Sequence, residues 1–375
     1  MEILEFLEVM VEKDASDIYI TEGLPPMYRI QGMTQDLEGR FEKFDGPTIQ
    51  QLCLSVMNDQ QREEFVETHE MNLALSYPGL GRFRVNIFQQ RGSPGMVIRQ
   101  IKLNIMSLDE LGFPSIMKDL VMTKRGLILV VGATGSGKST TLAAMIDERN
   151  TQASGHIIAI EDPVEYVHVH KRCVVTQREV GMDTHSFQSA LKNALRQAPD
   201  VILVGEIRDT ETMEAAITFA ETGHLAVGTL HSNNANQAIE RILSFFQEER
   251  HPQIYLQLSM NLKAIISQRL VKTLDGGRVA SLELLLDTPR IKSLIKKGEV
   301  DVIKEAMEQS EQEGCQTFDK ALFDMYMEGK IEFDQALANA DSANNLRLKI
   351  QNEERKTGEV EKERPDFRIK PDVLH

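Results

Sequence analysis

The sequence predicts an α/β protein whose central part is a mostly parallel β-sheet covered by helices on both faces. Short apolar runs rich in β-branched residues occupy 127–131, 157–160, 201–204 and 225–230, and segments with helical periodicity separate them. Such alternation is typical of parallel sheets, because each crossover places a helix on a face of the sheet. The first run leads directly into the complete motif G-x-x-x-x-G-K-S at 132–139, which indicates a nucleotide-binding core.

Ahead of this core, residues 1–103 are predicted to form a smaller α+β domain. Apolar residues at helical spacing in 4–11 indicate a first helix, and one further helix is expected near 46–68. Residues 82–87 alternate strictly between polar and apolar side chains, which is typical of a strand with one buried face.

The rest of the chain divides by composition and periodicity. Residues 104–123 have mixed polarity and are predicted to be a linker, and the nucleotide-binding core is expected to span 124–288. Residues 289–350 show helical periods without a strand pattern and should form a helical C-terminal region. Charges of both signs dominate 351–375, so we expect a disordered tail there.

The amino-acid composition and net charge argue against several classes of function. The chain has 375 residues, and 42 Lys and Arg against 57 Asp and Glu give a net charge of −15. An acidic balance argues against non-specific nucleic-acid binding, which depends on a basic surface. No apolar run approaches the roughly 20 residues of a spanning helix, and the N-terminus carries acids where a signal peptide would be basic. We therefore expect a cytoplasmic protein with no membrane insertion and no nucleic-acid partner.

The glycine-rich loop carries the strongest chemical signal. Glycines let the backbone wrap closely around phosphates, the loop N–H groups and the helix N-terminus meet negative charge, the lysine reaches the outer phosphates and the serine hydroxyl ligates Mg²⁺. The predicted nucleotide-binding residues are Gly132, Ala133, Thr134, Gly135, Ser136, Gly137, Lys138, Ser139 and Thr140.

Acidic side chains follow two of the predicted strands. Glu206 comes just after the third apolar run, where a P-loop protein places an acid beside the metal and the attacking water. Glu161, Asp162 and Glu165 follow the second run around Pro163, and one of them could serve as a general base. The alternatives are an ordinary strand-end acid at Glu206 and a capped, solvated turn at 161–165.

Two histidines flank the fourth apolar run. His224 and His231 are seven residues apart on either side of one strand, so they cannot share a metal ion. We interpret them as hydrogen-bonding sensors of phosphate, the alternative being a structural role.

Taken together, these motifs resemble the PilT/PilU group of secretion-superfamily ATPases. The resemblance rests on GATGSGKST, IEDPVEYVH, NALRQAPDVILVGEIRD, ETGHLAVGTLH and ISQRLV, with VEKDASDIYITEGLPPMYRIQG and GRFRVNIFQQRG in the N-terminal part. It implies a PAS-like N-terminal domain, a RecA-like P-loop core, a homohexameric ring and ATP-driven retraction of type IV pili. The C-terminal segments are closer to the PilU branch, and the PilT-like helix pattern is absent at 288–298.

The resemblance also implies roles for individual residues. Lys138, Ser139 and Thr140 are similar to the family's contacts with phosphate and Mg²⁺, Glu206 to the Walker B acid near the metal, and Glu165 to the catalytic base. His224 and His231 match the His box. Arg84 and Arg99 match arginines that approach the nucleotide at a domain and subunit junction, with Arg82 and Arg91 as weaker candidates.

The function expected from this resemblance is an accessory, PilT-dependent retraction motor. It would use ATP and Mg²⁺, work with a PilT-like ATPase, and transmit movement to a PilC-like platform protein at the inner face of the inner membrane. The alternatives are a nucleotide-binding scaffold subunit with little turnover and a related pilus-assembly or type II secretion ATPase.

Overall fold

The computed structural model describes residues 2–37, 39–101 and 104–357. The part of the predicted tail from 358 onward therefore lies outside the described residues. Within the described residues, no helix combines the length and apolar character needed to span a bilayer.

The N-terminal part of the chain is an antiparallel sheet with helices packed against it. Its strands follow the order β3-β2-β1-β6-β5-β4, and its buried side chains form a hydrophobic cluster of their own that includes Phe6, Tyr28 and Phe83. The elements are α1 (Ile3–Glu12), β1 (Ala15–Ile20), β2 (Met27–Ile30), β3 (Met33–Gln35), α2 (Gly46–Val56), α3 (Asp59–Thr68), β4 (Glu70–Tyr77), β5 (Gly81–Gln90) and β6 (Ser93–Ile101).

The single helix predicted near 46–68 is wrong in detail, because two helices, α2 and α3, occupy this segment. The backbone is extended at Met57 and at Asn58, which begins the second helix. The Asn58 side chain accepts a hydrogen bond from the Gln61 N–H, and the Gln61 side chain accepts one from the Asn58 N–H. This capping box stabilises a new helix start inside the predicted helix.

The central part of the chain is a seven-stranded sheet in the order β13-β12-β7-β11-β10-β8-β9. All neighbouring pairs are parallel except β12 and β13, so the predicted mostly parallel sheet is confirmed. The elements are α4 (Ile116–Val121), β7 (Gly126–Val131), α5 (Lys138–Gln152), β8 (Gly155–Glu161), β9 (Cys173–Glu179), α6 (Phe187–Ala194), β10 (Val201–Val204), α7 (Thr210–Glu221), β11 (Leu225–Leu230), α8 (Ala235–Leu243), α9 (His251–Asn261), β12 (Leu262–Lys272) and β13 (Arg278–Leu286).

The central strands explain why the functional motifs meet. Every residue of β7, β10 and β11 is buried, as expected for strands covered on both faces. Because β7, β8, β10 and β11 run parallel, the segments that follow them emerge at one edge of the sheet, where open α/β sheets bind ligands.

The C-terminal part is helical, as predicted, but its last helix extends further than expected. Helix α14 continues to Thr357, so the disorder predicted from residue 351 is wrong for 351–357. Leu346 and Ile350 on this helix are buried in one cluster with Val271 and Phe318, which supplies the apolar burial that the charged sequence masked. The helices are α10 (Pro289–Lys297), α11 (Ile303–Gln309), α12 (Phe318–Met327), α13 (Phe333–Asn339) and α14 (Ala343–Thr357).

Candidate nucleotide-binding site

The glycine-rich loop lies between β7 and α5 and requires glycine at two closely packed points. A Cβ at Gly132 would come within 2.4 Å of Ser136 Oγ and 2.7 Å of the Gln268 carbonyl oxygen. Gly137 has φ +90, and a Cβ there would lie 2.8 Å from Gln268 Nε2. Side chains at either position would therefore push the loop away from β12 and change its curvature.

Lys138 and Ser136 hold polar atoms that are suited to phosphate. The Lys138 ammonium donates to the carbonyl oxygens of Gly132 and Ala133 at 2.8 and 3.0 Å. Burial lowers the pKa of Lys138, while the nearby charges of Glu206 and Glu165 act in the opposite direction. Ser136 Oγ is buried and has no hydrogen-bond partner in the described part of the chain. The loop thus holds an unpaired hydroxyl and an ammonium whose two partners are its own carbonyl groups.

A cavity of about 470 Å³ opens beside this loop and gathers most of the predicted site. It is within the range of small-molecule sites, which are typically a few hundred cubic ångströms. The acids and histidine contributed by three different strand ends all line it together with the loop. Its lining residues include Thr134, Gly135, Gly137, Lys138, Ser139, Thr140, Glu161, Asp162, Glu165, Tyr166, Glu206 and His231.

Glu206 and His231 form a pair on one wall of the cavity. His231 Nε2 lies 3.1 Å from Glu206 Oε1. The backbone on either side of Glu206 is fixed, because Gly205 N–H donates to the Ile160 carbonyl and Ile207 N–H donates to the Thr229 carbonyl, both at 2.8 Å. The backbone at Glu206 is therefore held between β8 and β11, and its carboxylate contacts an imidazole that also lines the cavity.

The acidic loop, residues 161–165, also lines the cavity. Burial, with the charges of Glu165 and Glu179, raises the pKa of Glu161 to about 7, although a hydrogen bond from Gln177 opposes the rise. That hydrogen bond joins Gln177 Nε2 to Glu161 Oε1 at 3.1 Å. Asp162 is paired with Arg208 at 3.2 Å. The alternative of a merely solvated turn is thus less favoured, because Glu161, Asp162 and Glu165 all face the cavity.

Two functional contacts were not predicted from the sequence. Tyr166, on the cavity wall, shares a 2.8 Å hydrogen bond between its hydroxyl and Thr140 Oγ1. Gln268 on β12 accepts a 2.6 Å bond from Thr141 Oγ1 and packs beneath the glycine-rich loop. The motif ISQRLV contained Gln268, but its contact with a loop more than 120 residues away has no local signal.

His224 is not brought to the cavity. It precedes β11, whereas His231 follows it, and a six-residue strand separates the two ends by about 20 Å. Its Nδ1 lies 3.1 Å from Thr222 Oγ1 and 3.3 Å from the Phe219 carbonyl oxygen, at the opposite edge of the sheet. Within one chain the structure therefore places His224 away from this cavity, and its phosphate contact stays a prediction.

Arg84 and Arg99 are neighbours on β5 and β6 and do not line the cavity of their own chain. Arg99 Nε donates to Asp17 Oδ1 at 2.8 Å, and Arg84 Nη2 donates to Glu179 Oε1 at 3.0 Å. Both acids are almost fully buried, so each arginine is oriented by a carboxylate behind it.

The residues present fit a nucleotide with a magnesium ion. Mg²⁺ prefers oxygen ligands and commonly binds through one or two protein oxygens together with substrate phosphates. Ser139 and Glu206 both line the cavity and supply such oxygens. Among residues 2–37, 39–101 and 104–357, no cluster of three or more His, Cys, Asp or Glu side chains is placed to hold a metal by itself.

A P-loop at the carboxyl edge of a parallel sheet, with acids from the adjacent strands, defines a P-loop nucleotide-binding protein. The model of the family described as "Type II/IV secretion system protein" matches residues 2–363, and the chain belongs to this family.

Its relatives include pilus ATPases of Pseudomonas aeruginosa. The chain is 55% identical to the type IV pilus ATPase PilU over 351 residues, covering 93% of this chain and 91% of PilU. It is 41% identical to the retraction ATPase PilT over 346 residues, covering 92% of this chain and all of PilT. A crystal structure of the pilus retraction motor PilT with bound ADP superposes with a TM-score of 0.87 at 42% identity, covering 93% of this chain and 99% of that one.

Proposed function

We propose that the chain is an ATP-hydrolysing motor for type IV pilus retraction, and that it acts as an accessory to a PilT-like ATPase. The observation that carries this proposal is the single cavity in which the glycine-rich loop meets Glu165, Glu206 and His231. The similarity to PilU and PilT supports the same function. The protein would lie at the cytoplasmic face of the inner membrane and would act on a PilC-like platform protein.

In this mechanism the cavity residues divide the work, and Glu206 has two tasks. Lys138 exchanges the carbonyl oxygens of its own loop for the outer phosphates, to which it brings positive charge. Glu165 accepts the proton of the attacking water, and Glu206 orients His231 toward the phosphate. Ser139 and Glu206 would hold Mg²⁺, which neutralises charge that develops on the phosphates.

Arg84 and Arg99 are proposed to act on the nucleotide of a neighbouring subunit. They do not reach the cavity of their own chain, and a guanidinium is well suited to an oxyanion because it is planar and permanently charged. A contact between the arginine-bearing face of one subunit and the cavity of the next is head-to-tail, and such contacts form a ring when the rotation between subunits closes. We therefore propose a homohexamer in which the N-terminal domain, residues 1–103, moves against the core, residues 124–288.

The accessory role rests on helix α10. The sequence of this helix differs from the PilT-type pattern and contains Lys292, Lys296 and Lys297. Lys292 Nζ lies 2.8 Å from Asp287 Oδ2. The catalytic motifs are retained, so we infer that hydrolysis is kept while coupling to the platform differs. In a strain without PilT, expression of this chain should restore little or no retraction. Robust retraction there would make it a primary motor.

Steady-state phosphate release by the purified full-length chain tests the enzymatic part. We expect Mg²⁺-dependent release by the wild type and none by Lys138→Ala. Lys171→Ala is the matched control, because this exposed lysine pairs with Asp147 outside the cavity and should leave release unchanged. Binding of nucleotide without release in the wild type would favour the scaffold function instead, and the mass of the assembly in solution tests the hexamer.

A further inference from the structure

Glu179 is a nearly fully buried acid that contacts two distant parts of the chain. Its Oε1 atom accepts a hydrogen bond from Arg84 Nη2 at 3.0 Å, and its Oε2 atom accepts one from the backbone N–H of Val164 at 3.1 Å. Arg84 belongs to the N-terminal sheet, whereas Val164 lies within the acidic loop, directly before Glu165. One carboxylate therefore joins the N-terminal sheet to the loop that carries the proposed base.

The backbone of Glu179 is firmly held, so its side chain transmits rather than absorbs a displacement. The Glu179 N–H donates to Asp183 Oδ2 at 2.9 Å, and the next N–H, of Val180, donates to the Glu161 carbonyl oxygen at 2.9 Å. A buried carboxylate that loses its cationic partner is strongly disfavoured. When Arg84 moves away, the Glu179 carboxylate must find other donors, and its hold on the Val164 N–H changes.

We propose that Glu179 is a positioning residue for the acidic loop and that its ion pair with Arg84 makes this loop respond to the position of the N-terminal sheet. A phosphate that the Arg84 guanidinium cannot reach while Nη2 stays 3.0 Å from Glu179 can be contacted only after this hydrogen bond breaks. Engagement of Arg84 by nucleotide is thus linked to release of the loop. The catalytic consequence rests on the proposed ATPase function, because displacement of a general base by about 1 Å can cost on the order of 100-fold in rate.

The structural link is tested by hydrogen exchange at the Val164 amide of the full-length protein, resolved to single amides by mass spectrometry. Loss of the acceptor in Glu179→Ala should accelerate exchange by about tenfold or more. Glu179→Gln should restore slow exchange, because its amide oxygen still accepts this bond. Arg84→Met should also accelerate exchange, and the double variant Arg84→Met with Glu179→Ala should exchange no faster than Glu179→Ala alone. Asn86→Ala is the matched control: it lies two residues from Arg84, bonds to Asn72, and should not alter exchange.

Steady-state kinetics distinguish a positioning role of Glu179 from a role in nucleotide binding. Glu179→Ala should lower kcat by about 10- to 100-fold with KM changed by no more than about twofold, and Glu179→Gln should recover most of that loss. Wild-type exchange at Val164 in Arg84→Met would overturn the coupling while leaving the ATPase proposal intact. A wild type without phosphate release would reject the ATPase, while the exchange rates would still decide the link. If Glu179→Ala fails to fold by its melting curve, Arg84→Met decides.

Discussion

Replacement of Glu161 by glutamine should change the free energy of unfolding in a way that depends on pH. The difference between the variant and the wild type should favour the variant more at neutral and higher pH than in acid. The carboxyl is partly buried at the cavity wall, and burial together with Glu165 and Glu179 raises its pKa from 4.5 to about 7. An acid whose pKa is raised by folding favours the folded state while it is protonated. Its contribution is complete below pH 4.5 and is lost as the pH rises to 7. Glutamine is neutral throughout and keeps an oxygen that can accept the hydrogen bond from Gln177.

The magnitude follows from the pKa difference. At 1.36 kcal/mol per pH unit, a rise from 4.5 to about 7 corresponds to about 3 kcal/mol. Partial contact of the carboxyl with solvent reduces the expected gain to about 2 kcal/mol. The advantage of the variant should therefore grow steadily between pH 4.5 and 7 and level off above pH 7.5 or so.

Urea unfolding of both full-length proteins, followed by circular dichroism because the chain has no tryptophan, measures this difference at several pH values from 5 to 8. Glu63→Gln on the exposed side of α3 is the control and should keep the wild-type pH dependence. A free-energy difference between Glu161→Gln and wild type that does not change with pH would refute the argument. The argument would also be refuted if the wild type became more stable relative to the variant as the pH rises.

Three further predictions address the site and the C-terminal helix. Lys138→Ala should melt as wild type does without nucleotide but lose the stabilisation by ATP, which for wild type is about 2.7 kcal/mol at 100 times Kd; equal stabilisation would contradict the role of this lysine. Glu165→Gln and Glu206→Gln should each keep nucleotide binding, measured by fluorescent ADP, and slow phosphate release by roughly 10²- to 10⁴-fold. Normal turnover in Glu165→Gln would move the base to Glu161. Ile350→Ala should destabilise the folded state by about 2–4 kcal/mol in thermal unfolding, because the side chain is fully buried in a hydrophobic cluster with residues of α12 such as Phe318. An unchanged melting temperature would contradict that packing.

The fold class and the core of the site were predictable because their signals are local. A glycine-rich loop is contiguous in sequence, and the acids of 161–165 and Glu206 directly follow apolar strands whose parallel order brings them to one edge. The expected α/β fold, the secretion ATPase family and the similarity to PilU are confirmed. The fold class needed only the order of elements along the chain, and the family needed contiguous motifs such as GATGSGKST.

The remaining features depend on contacts between distant residues. Gln268 supports the glycine-rich loop from another strand, and Glu179 joins two parts of the chain, yet neither position is marked by a local pattern. The positions of His224 and His231 at opposite ends of β11 could, in contrast, be predicted from the sequence, because the two residues flank one apolar run. In α14, apolar side chains such as Ile350 are sparse among charges, and their burial against α12 and α13 is a contact between distant residues that stabilises this helix.

The charge balance of the cavity supports the proposed ring independently of the sequence motifs. Glu161, Glu165 and Glu206 line the cavity with Lys138, and Arg208 is already paired with Asp162. A nucleotide triphosphate adds several negative charges to this acidic surrounding, and carboxylates close to phosphates repel them at a cost that grows in a partly desolvated site. One lysine does not balance these charges. A divalent cation and guanidinium groups from outside the chain's own cavity would supply the missing positive charge, so binding of nucleotide and closure of the subunit interface should strengthen each other.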